Sequence, residues 1–121
     1  FSEHPLAQAI VNAAKEKNLA HSETTARKAL TALTGDLSHE AWTATSDEIT
    51  KLVGEVRGCL DKAEKETSQG HGEDARKFFE ASMDPQMKLL GLMTGLIYQV
   101  SEKTGRELEE LNKLLPKKEG I

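Results

Sequence analysis

Apolar positions in this chain recur every three to four residues, and the longest such stretch lies near the C-terminal end. From Asp84 to Leu115 the residues Leu89, Met93, Leu96, Ile97, Val100, Leu108, Leu111 and Leu115 keep helical spacing. Asp84 reads as an N-cap and Pro85 as the first helical residue, where no backbone N–H is needed; Pro116 stops the pattern. A helix of roughly 30 residues is about 45 Å long, so the other segments are expected to pack along it. The cleanest amphipathic stripe is Ile49, Leu52, Val53, Val56, Leu60 and Ala63. Thr45-Ser46-Asp47-Glu48 has the form of a capping box and places the start of that helix at Thr45.

Upstream, Ser2-Glu3-His4-Pro5 opens a helix whose apolar stripe is Leu6, Ile10, Val11 and Ala14. Asn18 as a stop and Ser22 as a cap predict a loop over Lys15 to Ser22. A second helix then runs from Glu23 to Thr34, with Ala26, Ala29, Leu30 and Leu33 inward and Gly35 as terminator. One continuous helix from Pro5 to Leu33 is the alternative. Asp36 to Thr45 is a connection, with Trp42 packed over the bundle end. Lys65 to Gly72 is a loop. Glu73 to Met83 forms a short helix with Ala75, Phe78, Phe79 and Met83 on its apolar side, and the tail after Pro116 is expected to fray. The pattern is all-α: an antiparallel four-helix bundle with a long C-terminal helix, forming one domain over residues 1–121.

Composition narrows the function. Apolar residues make up 37% and aromatics 4%, so the core must be aliphatic. The net charge is −4, from 20 acidic and 16 basic residues, and no basic stripe is interleaved with aromatics, which argues against nucleic acid. The single Cys59 allows no internal disulfide, as in a reducing compartment, and beside the apolar stripe it reads as an inert thiol. The run from Leu89 to Val100 is too short to span a bilayer. A start at Phe1 and not at Met reads as a piece of a longer protein, or as a chain that has lost a few disordered residues.

No chemistry is spelled out. His4, His21, His39 and His71 lack metal-ligand spacing with one another or with Cys59. The Glu-x-x-His signature of di-iron bundles is absent, and no Ser-His-Asp or Cys-His set is readable. The chain is therefore expected not to be an enzyme and to hold no metal or cofactor. Gly54-Glu-Val-Arg-Gly58 and Gly91-Leu-Met-Thr-Gly95 are small-residue spacings that permit either close helix approach inside the bundle or docking of a partner helix.

With helices alternating in direction, the loops Lys15–Ser22 and Lys65–Gly72 fall at the same end. That end gathers Lys15, Lys17, Leu19, His21, Lys65, His71, Arg76 and Lys77. The layout resembles the four-helix membrane-localisation, lipid-raft-targeting domains of bacterial toxins and type III secreted effectors. The resemblance implies a non-catalytic module that binds anionic lipid, phosphoinositide or phosphatidylserine, through one bundle tip. It would sit peripherally at the cytoplasmic face of a host membrane after secretion. Each basic residue near such a surface is worth about 1 kcal/mol; Leu19 would insert, and His21 and His71 would add charge in mild acid. The alternative is a bundle for protein–protein interaction or dimerisation, with a partner helix on the glycine faces.

Overall fold

The computed structural model describes residues 5–116, with side chains from residue 9 onward. Expectations placed on Ser2 to His4, on the Leu6 side chain and on the tail after Pro116 lie outside the described residues. Four helices follow in order: α1 (Pro5–Ala32), α2 (His39–Ser68), α3 (Gly72–Ala81) and α4 (Met83–Leu114). No strand occurs among the described residues. The all-α bundle with a long C-terminal helix is thus the architecture, stacked as three rods because α3 and α4 form a single bent arm.

The bend has a local cause. Ser82, with α-helical dihedrals, joins the two helices, and its N–H donates to the carbonyls of Phe78 and Phe79. Pro85 cannot donate to the carbonyl four residues back, so the ladder is interrupted there. The fully buried Ser82 hydroxyl donates to the Phe79 carbonyl at 2.5 Å, so that carbonyl accepts from both the N–H and the hydroxyl of Ser82. The start of α4 is therefore Met83, with Ser82 and not Asp84 at its cap position.

α1 is one helix. Asn18 and Ser22 do not break it, so the predicted Lys15–Ser22 loop does not exist. The packing decides this. Leu19 and Ala26 are buried on the same face as Ala29, Leu30 and Leu33, and Asn and Ser cost only tenths of a kcal/mol each inside a helix that buries such a face. The N-terminal stripe fails in return, with Ile10, Val11 and Ala14 all exposed. α2 likewise begins earlier than its capping box. Ser38 Oγ accepts from the Ala41 N–H at 3.1 Å, and Thr45 instead donates to the Ala41 carbonyl inside the helix.

The core is a single cluster between the rods. Ile49, Leu52, Val53, Val56 and Leu60 of α2 meet Leu19, Ala26, Leu30 and Leu33 of α1 and Leu89 and Leu96 of α4. Trp42 closes one end as expected, its indole N–H donating to the Leu30 carbonyl at 3.1 Å. Gly35, at φ +91°, makes the turn out of α1 in a conformation that side chains resist. Contacts fix the directions. Lys15 of α1 touches Met83 at the start of α4, and Ala32 touches Lys103. α1 and α4 therefore run parallel, and α2 runs against both.

Candidate functional site

The eight residues expected at a lipid-binding tip are divided by the fold. Lys15, Lys17, Leu19 and His21 lie along the body of α1; Lys65 sits in the last turn of α2, His71 at the start of α3, and Arg76 and Lys77 within α3. Leu19 is 1% exposed and belongs to the core, so it is not available for insertion. The Lys15 ammonium lies 5.0 Å from the centre of the Phe79 ring and 3.3 Å from the Met83 sulfur, held against α3 and α4.

Two of the other groups near the α2–α3 turn are matched by acids. Arg76 pairs with Glu73 at 2.8 Å and Glu80 at 3.9 Å, and a His71 ring nitrogen lies 2.6 Å from Glu66. Glu16, Asp61 and Glu64 gather along the neighbouring α1–α2 seam, their carboxylates within 4.8 Å of one another. An anionic bilayer would meet carboxylates alternating with cations here. Glu66, His71 and Asp74 also come within 4.8 Å of one another, a grouping that spacing did not reveal because the Gly70 turn creates it. Within that grouping Glu66 and the His71 ring are in hydrogen-bond contact.

The glycines do not mediate close packing within the chain. A Cβ added at Gly54, Gly58, Gly91 or Gly95 would meet nothing within 4 Å. Both small-residue faces are open.

The largest unexplained surface is on α4. Nine of the eleven exposed large apolar side chains of the described residues lie between Met83 and Leu115. Many fall on one line: Met83, Met87, Leu90, Thr94, Ile97, Ser101, Thr104, Leu108, Leu111 and Leu115, with steps of four and three residues throughout. Every member is exposed. This is the heptad spacing of a coiled-coil seam. It runs beside a second line, Leu89, Met93, Leu96 and Val100, which faces the core. Sequence reading merged the two and counted Ile97 as buried, whereas it is 40% exposed.

The seam continues past the bundle. Lys103 anchors α4 at the bundle end, its ammonium 2.7 Å from Asp36 and 2.8 Å from the Ala32 carbonyl. The hydrogen bond to Asp36 holds the Lys103 pKa above its ordinary value, so the tie is fully charged at neutral pH and weakens only as pH rises beyond that raised value. From Thr104 to Pro116 every residue is exposed. The last turns of α4 are a projecting arm carrying Leu108, Leu111 and Leu114, with a cleft between the arm and Asp36 at the α1–α2 turn.

Among the described residues no helix is long and apolar enough to cross a membrane. Comparison with protein-family models, curated proteins and solved structures returns no match. Function has to be read from the surface itself.

Proposed function

We propose that this chain is a helical interaction module without catalytic machinery, and that its working surface is the exposed seam of α4. The observation that carries the reading is the heptad line from Met83 to Leu115, apolar at seven of its ten positions, exposed along its whole length and separate from the core-facing line. An exposed apolar stripe of this extent marks an interaction site on a soluble domain, and a helix laid in register along it would find knobs at each three-four step. Lipid is the weaker occupant. The arm presents Glu107, Glu109 and Glu110 against Arg106 and Lys113, whereas helices lying on anionic bilayers carry a basic polar face.

The test is a titration. Proteins retained by the immobilised chain are purified and titrated against the wild type and against Leu108→Glu/Leu111→Glu. Both positions lie on the projecting arm, so folding should be unchanged. Affinity should fall at least about 100-fold, since two buried charges cost several kcal/mol at an interface. Equal affinity for both forms would remove the seam from the function.

A further inference from the structure

We infer that the occupant of the α4 seam is a second copy of this chain, lying antiparallel to the first. The inference rests on the seam being a docking surface, and adds the identity of the partner.

The seam is self-complementary when reversed. Its line reads apolar over the first three positions, then Thr94, Ile97, Ser101 and Thr104, then apolar over the last three. Turned end for end about the middle of the helix, Met87 meets Leu111, Leu90 meets Leu108, Thr94 meets Thr104 and Ile97 meets Ser101. The outer apolar layers fall on apolar layers and threonine falls on threonine, and the central Ile97–Ser101 layers are the one mixed pairing.

Charge sets the direction. A parallel pair would place Glu107, Glu109 and Glu110 of one arm beside the same three of the other. The antiparallel pair brings each arm to the first turns of the other α4, where Lys15 lies against Met83 and Lys88 is paired with Asp84. The glutamates of the arm then meet a surface with cations instead of the same glutamates, and the two helix dipoles are set in opposition. Like-charge apposition is the contact an interface avoids.

The extent is close to what a stable pair needs. The seven apolar side chains of the seam, between 40% and 63% exposed, offer on the order of 700 Å² per chain, against roughly 800 Å² per partner in a stable interface. The arm also requires support, because a helical extension of about three turns with no tertiary contact is marginal in water. In the antiparallel pair each arm lies on the bundle of the other chain.

Sedimentation equilibrium and cross-linking test the inference together. The wild-type chain should sediment at twice 13.3 kDa in the micromolar range, and Leu108→Glu/Leu111→Glu should sediment as a monomer with unchanged helix content. In a Cys59→Ser background, Met87→Cys and Leu111→Cys variants are mixed and treated with a short bismaleimide. Links should form between the two variants and not within either. A wild-type monomer at millimolar concentration overturns self-pairing, as do links within the Met87→Cys population. If that monomer still binds a captured protein through Leu108 and Leu111, the docking surface stands and only the partner is wrong. A dimer indifferent to Leu108→Glu/Leu111→Glu overturns both.

Discussion

Leu19 shows how far one residue's surroundings outweigh its neighbours in sequence. Between Asn18 and Ala20 it looks like a loop-tip residue, but it is among the most buried side chains, packed with Leu30, Leu60 and Leu89 in one cluster. Leu19→Ala should therefore destabilise the fold by about 2–5 kcal/mol, the usual range for a leucine truncated in a core, as read by chemical denaturation. A loss below about 1 kcal/mol would return Leu19 to the surface and revive its role in insertion. The residues read correctly were those whose environment follows from their own helix. Ile49 to Ala63 were legible because each is inward on the same stripe. Ile10, Val11 and Ile97 were not, because a side chain's exposure depends on whether a neighbouring helix reaches that height and that face, which spacing alone does not contain.

At the level of elements, the lesson concerns boundaries and doubled faces. Asn18, Ser22 and Thr45 are good terminators in isolation, yet all three lie inside helices because continuous burial on one side offsets their small propensity costs. Gly35 ends its helix as read, and Pro85 marks the neighbourhood of the α4 start although it lies two residues inside the helix, because the effects of both are covalent and steric and no packing removes them. α4 appeared as one apolar helix because its core line and its exposed seam interleave at helical spacing, and only the position of α1 and α2 separates them. The paired glycines are the matching case in α2, where the sequence allowed close packing and the fold left open space. Gly54→Ala should then raise stability by about 0.5–1 kcal/mol through helix propensity alone, measured as a higher denaturation midpoint with an unchanged slope. A decrease would mean that something approaches this face closely in solution.

On the scale of the whole molecule, folding and association occupy different stretches of the same helix. The core cluster and the hydrophobic residues packed on it end at Val100, and the Lys103 tie to Asp36 and Ala32 closes the bundle. The arm beyond adds apolar surface that is exposed throughout and contributes no residue to the core. A chain ending after Lys103 should keep its helical bundle, since no core residue is lost. It should lose four of the ten seam positions, including Leu108 and Leu111, and with them any stability gained from pairing. Association stabilises the folded state by mass action and makes the melting temperature depend on protein concentration. The full chain should therefore melt several degrees higher when concentrated a hundredfold, because each tenfold step in a dimer's concentration adds about 1.4 kcal/mol shared between two chains. The shortened chain should melt at one temperature throughout. Equal concentration dependence in both would place the association surface elsewhere on the bundle, whereas unfolding of the shortened chain would show that the arm holds the fold together and is no separate docking device.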